Sequence, residues 1–184
     1  MRVSREQAAK NREHVVDTAA RLFRERGYDG IGVADLMKEA GLTHGGFYGN
    51  FASKEHLMAE ACQRAFAASA ERWGAIVEGE GPAALDTITG NYLSRRHVEH
   101  PGQGCAVAAL GADAARLSPP VRAAMTDGVK GQIDTLAVLA GGDRQEAIAR
   151  YAAMVGALLL ARAVDDPTLS DEILASVREH TNKA

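Results

Sequence analysis

Residues 31–51 read IGVADLMKEAGLTHGGFYGNF. Val33, Leu36, Met37 and Ala40 fall at i, i+3, i+4 and i+7, the apolar face of a short helix. Gly41 suits the position just past its end. Leu42 is an apolar residue at the turn, and Thr43 is placed to cap a second short helix reaching Asn50 or Phe51. Two short helices across a tight glycine turn make a helix-turn-helix pattern. The second helix carries Gly45, Gly46 and Gly49, each costing about 1 kcal/mol of helix propensity relative to Ala. Such a conflict makes sense where the backbone must come close to a partner.

The flanks extend the helical pattern. Upstream, Ser4 with Gln7 three residues on forms a capping box for a helix over 4–26. Val15, Ala19, Leu22 and Phe23 make its apolar stripe, and Arg24 and Arg26 sit in the last turn before Gly27. Downstream, Ser53 caps a long helix with Leu57, Ala61, Ala65, Ala68, Trp73, Ile76 and Val77, ending near Gly79-Glu80-Gly81. The spacing predicts further helices over 83–99 (opened by Pro82), 105–117, 118–140 and 143–164, and a last one capped by Ser170 and reaching His180. No stretch alternates apolar and polar residues as a half-buried strand would.

Composition excludes several classes. Of 184 residues, 46% are hydrophobic and 24% charged, which rules out disorder throughout. Alanine is abundant and β-branched and aromatic residues are sparse, favouring helix over sheet. Cys62 and Cys105 are too few for a disulfide framework. The opening MRVSREQAAKNRE lacks the apolar core of a signal peptide. The longest uncharged apolar run, Tyr151–Ala161, is 11 residues, short of the roughly 20 that span a bilayer. The chain is read as cytoplasmic, with no membrane partner. Its 21 basic and 24 acidic residues give a formal charge of −3, unlike a general polyanion binder. Residues 1–60, however, are balanced at nine of each. Within the first twelve residues Arg2, Arg5, Lys10 and Arg12 face only Glu6, so anion binding belongs at the N-terminal end.

The N-terminal third resembles the DNA-binding domain of the TetR-type transcriptional regulators. The residues that carry this are Ala19-Ala20-Arg21-Leu22-Phe23, Gly27-Tyr28, Asp35-Leu36, Ala40-Gly41-Leu42-Thr43, Gly46-Phe47-Tyr48, Phe51 and Ser53-Lys54-Glu55-His56-Leu57. Gly32 stands where many relatives have a capping Ser or Thr, and Gly49-Asn50 where bulkier side chains are common. The resemblance implies that Tyr48 and Lys54 hold phosphates and that Thr43, His44 and Asn50 touch bases or backbone, with Gly45 and Gly46 allowing close approach. The physics agrees: a helix over 43–51 is about 13 Å long, the major groove admits one helix, and a helix N-terminus favours phosphate.

The rest of the chain resembles the family's ligand-binding region in length and helical character, and Gly104-Cys105 resembles a subset of members. Phe66, Trp73, Tyr92, Cys105, Leu110, Met125 and Met154 are candidates for a pocket between helices; the effector is unknown. Tyr151, Val155, Leu158 and Arg162 form a stripe, widened by Leu159 and joined by Ile173, Leu174 and Val177, for a dimer interface. The expected architecture is all-α: a three-helix helix-turn-helix domain (1–52) and a C-terminal helical bundle (53–184) forming a dimer. The expected function is a ligand-responsive repressor, not an enzyme, that binds a palindromic double-stranded operator as a homodimer and is released by a small molecule. No cofactor or metal is expected. His97, His100 and Cys105 lack a fourth zinc ligand, and Arg96 and His97 are expected to face solvent. Cys105 opens a helix, where a thiolate is favoured, so a thiol-based redox or electrophile sensor is an alternative. A protein-interaction module and a small helical enzyme are the rival classes.

Overall fold

Ser4 Oγ accepts the Gln7 amide at 3.1 Å and starts α1 (Arg5–Arg26) in the computed structural model, which describes residues 4–181. Arg2 lies outside the described residues. After α1 come α2 (Val33–Glu39), α3 (Lys54–Glu80), α4 (Ala84–Tyr92), α5 (Arg95–Glu99), α6 (Ala106–Ala114), α7 (Pro119–Leu139), α8 (Arg144–Ala163) and α9 (Pro167–Thr181). No strand occurs among the described residues, and no helix there is long and apolar enough to cross a membrane.

Gly41, at φ 69°, lets the chain leave α2 with a left-handed turn. The second helix expected over 43–51 does not form as such. Its place is taken by one 3-10 turn, His44–Gly46, and further tight turns to Asn50. The amides of Gly46, Phe47 and Asn50 each bond a carbonyl three residues back, at 3.0, 3.1 and 2.9 Å. Thr43 occupies the cap position, but its hydroxyl makes no capping bond. Three glycines withdraw helix propensity here. The segment is held instead by Phe47 and Phe51, which are buried with their ring centroids 5.5 Å apart.

Other boundaries also move. The helix expected over 83–99 breaks after Tyr92, because Ser94 Oγ accepts the His97 amide at 3.3 Å and starts α5. Ser170 is not a cap. Asp166 Oδ1 accepts the Thr168 and Leu169 amides at the start of α9, while buried Ser170 donates to the Ala161 carbonyl. Asp143 caps α8 as expected, accepting from Gln145 and Glu146.

Two apolar clusters organise the molecule. The first joins α1, α2, Phe47 and Phe51 to the first half of α3 and to residues of α6 and α7, including Leu110, Val121 and Met125. The second gathers Trp73, Ile88, Tyr92, Leu136, Tyr151, Met154 and Leu158 between the second half of α3 and the C-terminal helices. Continuous α3 runs through both, so residue 53 opens a helix and not a linker. Where α3 crosses α7, a Cβ on Gly128 would lie 2.1 Å from the Phe66 ring, and only glycine permits that approach. Helix α8 turns Tyr151 and Leu158 inward, and α9 does the same with Leu174. These three expected interface residues are therefore core within one chain. Val155, Ile173 and Val177 are half-buried, whereas Ile148, Leu159 and Leu160 are exposed.

Candidate functional site

The 43–50 segment presents one exposed face. Thr43, His44, Gly45 and Tyr48 are exposed, and Gly46 and Asn50 half-buried. Tyr48 is 70% exposed, unusual for a large aromatic, beside fully buried Phe47. Its ring meets the edge of Phe47 at 5.3 Å and lies 5.6 Å from His44. Asn50 Nδ2 donates to the Gly46 carbonyl at 2.7 Å, so this amide braces the turn and keeps only its remaining N–H and its oxygen for a partner. Lys54, in the first turn of α3, donates to the Tyr28 carbonyl at 2.6 Å. One of its three N–H bonds thus ties α3 to the α1–α2 loop, and two remain.

A cavity of about 340 Å³ opens between the second half of α3, α4, α5 and the loop to Cys105. Trp73, Tyr92 and Cys105 line it. Phe66, Leu110, Met125 and Met154 are buried in the core and do not. The polar lining, including Arg72, Arg96 and His97, was not anticipated. Arg96 is exposed at the rim, but His97 turns inward. His97 Nε2 accepts the Cys105 amide at 2.9 Å, and Nδ1 therefore donates to the Tyr92 carbonyl at 2.8 Å. Burial above all, with Arg162 and Arg72 nearby, lowers the His97 pKa to about 4, so the ring is neutral at pH 7.

Arg162, expected at the dimer interface, instead ties α8 to α5 by donating to the His97 and Val98 carbonyls. Gly104 permits this assembly, since a Cβ there would lie 2.6 Å from the His97 ring. Cys105 is half-buried in the wall, its sulfur 3.9 Å from the Tyr151 hydroxyl. Cys62 is buried, and burial raises its pKa to about 11. The loop wall also reaches the N-terminal helices. Arg24 of α1 donates through Nε (3.0 Å) and Nη2 to the carbonyl of Gly102.

The family model for bacterial regulatory proteins of the tetR family matches residues 15–61, which contain this exposed face. The transcriptional repressor NemR of Escherichia coli K12 is 31% identical over 166 residues, covering 82% of this chain and 83% of NemR. The chain belongs to the TetR family. The crystal structure of reduced E. coli NemR superposes with a TM-score of 0.82 at 28% identity, over 95% of this chain and 96% of that one. The repressor DhaR of Mycobacterium sp. GP1 is 29% identical over 111 residues, 60% of this chain and 56% of DhaR. As a TetR-family member the chain is a DNA-binding transcriptional regulator and not an enzyme. Members of the TetR family bind operator DNA and small-molecule effectors and typically dimerise.

Proposed function

We propose that this regulator is a cytoplasmic repressor that binds a palindromic operator as a homodimer and is released when a small molecule fills the α3–α5 cavity. Residues 1–52 read DNA, with Tyr48 and Lys54 on phosphates and Thr43, His44 and Asn50 at base edges or backbone. Residues 53–184 hold the effector and the partner chain. The observation that carries this reading is the bond from Arg24 to Gly102. The loop that walls the cavity is fastened to α1 of the DNA-reading head. A molecule that displaces the loop therefore moves the head, provided it binds the displaced state more tightly.

Selection of bound duplexes from random DNA by the purified protein, at stated salt, tests the reading. The expected product is an inverted repeat whose half-sites sit about 34 Å apart on one face of the duplex. Recovery of unrelated sequences at nonspecific affinity would sink it.

The placement of Cys105 favours a second reading. Its thiol lines the cavity, whereas Cys62 is buried with a raised pKa. Electrophiles entering the cavity would meet Cys105. Iodoacetamide should alkylate Cys105 first, forming the thioether with loss of iodide and a proton, and should lower operator affinity. Unchanged affinity after complete alkylation would discard a sensing role.

A further inference from the structure

The chain has 24 acidic residues, yet none of them lines the cavity. Arg72 and Arg96 do, and neither is ion-paired with a described carboxylate. Arg24 and Arg162 stand behind the same wall, on carbonyl oxygens rather than carboxylates. Those two have a structural task in holding the loop and α5. Arg72 has only a long contact, 3.5 Å, to the Gln103 carbonyl. Its pKa is lowered by partial burial, and its charge in turn helps lower that of Arg24, to about 10, a shift whose main cause is burial. The neighbouring Glu71 acts on Arg72 without pairing with it, and cations gathered in a partly desolvated site without a direct ion pair are costly, a cost that a bound anion offsets. Buried donors also lack partners: Arg162 Nη1 and the Tyr92 hydroxyl. The apolar part of the lining is Trp73, Ile76 and Ile88. About 340 Å³ suits a small molecule.

We propose that the effector is a small organic anion whose charged group seats on Arg72, with Arg96 beside it, and whose apolar body lies on Trp73, Ile76 and Ile88. Carboxylate, sulfonate and phosphate monoester share the chemistry that Arg72 recognises. The proposal rests on reading this cavity as the effector site.

Trp73 is the sole tryptophan of the chain and lines the cavity, so its fluorescence reports occupancy. The probes are 1-anilinonaphthalene-8-sulfonate and its uncharged parent, N-phenyl-1-naphthylamine, titrated into the full-length protein. Energy transfer from Trp73 should show the sulfonate binding at least tenfold tighter. Arg72→Leu should abolish that preference while leaving the circular dichroism spectrum and the affinity for the neutral probe unchanged, and Arg72→Lys should restore part of it. Benzoate and phenyl phosphate, as competitors, distinguish carboxylate from phosphate preference. Equal affinity for the two probes, or a preference that survives Arg72→Leu, overturns the proposal. If the neutral probe alone binds and releases operator DNA, the cavity reading stands and the anion proposal fails. If neither probe affects Trp73 or operator binding, both fail. If Arg72→Leu slows alkylation of Cys105 but leaves probe binding intact, the arginines serve the thiol and the proposal is overturned.

Discussion

Tyr48 and Phe47 are adjacent, yet one ring is 70% exposed and the other 1%. Over 44–51 only Phe47 and Phe51, four residues apart, face the core, so they anchor the segment while Tyr48 between them faces solvent, where a partner can reach it. Burying a Phe side chain contributes about 1.5–3 kcal/mol; exposing Tyr48 forgoes a comparable gain. Tyr48→Phe should leave the melting temperature unchanged and weaken binding to every duplex alike, without altering its salt dependence, since a neutral hydroxyl releases no counterion. Lys54→Met should behave differently. It removes the bond to the Tyr28 carbonyl, costing about 1 kcal/mol of stability, and it should flatten the slope of log affinity against log salt by about 0.9. A slope unchanged by Lys54→Met would exclude phosphate contact. His97 makes a separate prediction. Its folded pKa of about 4 lies below the ordinary 6.5, so between those values the unfolded chain binds more protons than the folded one. The stability that the neutral ring contributes is complete above pH 6.5 and is lost as pH falls toward 4. Thermal melts from pH 7.5 to 4.5 should decline less steeply for His97→Gln than for the native chain; parallel declines would refute the assignment.

At the scale of elements, the break between α4 and α5 matters most for the cavity. Had 83–99 formed one helix, His97 would continue the face predicted to meet solvent. Ser94 restarts the chain in a new direction, and His97 turns inward to take the Cys105 amide. The loop that follows is pinned on two sides, by Arg162 at α5 and by Arg24 at Gly102. Arg24→Met should therefore uncouple the two ends of the molecule. A small molecule that releases the native protein from DNA should bind this variant with similar affinity, yet shift its operator affinity far less, a loss of coupling free energy rather than of either binding event. Release equal to that of the native protein would show that coupling runs by another route.

Across the whole molecule, the inward turn of Tyr151 and Leu158 leaves Ile148, Leu159 and Leu160 of α8 and Leu169 of neighbouring α9 exposed, while Val155, Ile173 and Val177 are half-buried against the chain's own core. Exposed apolar side chains gathered on two packed helices suit a symmetric partner. Leu159→Glu should reduce the mass in gel filtration from two chains to one without lowering the melting temperature of the monomer, because Leu159 is not part of the chain's own core. Operator affinity should fall with it, since a dimer gains its specificity from two half-sites. An unchanged mass would place the interface elsewhere.

The place of the helix-turn-helix region, the helix caps at Ser4, Ser53 and Asp143 and the all-helical class were legible in the sequence, because apolar period, capping residues and turn glycines act within a few residues of one another. The exposed face around Tyr48 was legible for the same reason, together with its resemblance to a family. Three things were decided only by the tertiary structure. Glycines at 45, 46 and 49 lowered helix propensity enough for the packing of Phe47 and Phe51 to set the turns. The rotation of α8, which sends Tyr151 inward and Leu159 outward, depends on α7 and α9, far away in the chain. The cavity needed α3, α4, α5 and the Cys105 loop brought together, and Arg72 and Arg96 look like ordinary surface charges until it is seen in three dimensions that no carboxylate lines the cavity with them. Local periodicity encodes which face of a helix is apolar, but which neighbour covers that face, and which charge is left without a partner, follows from long-range packing.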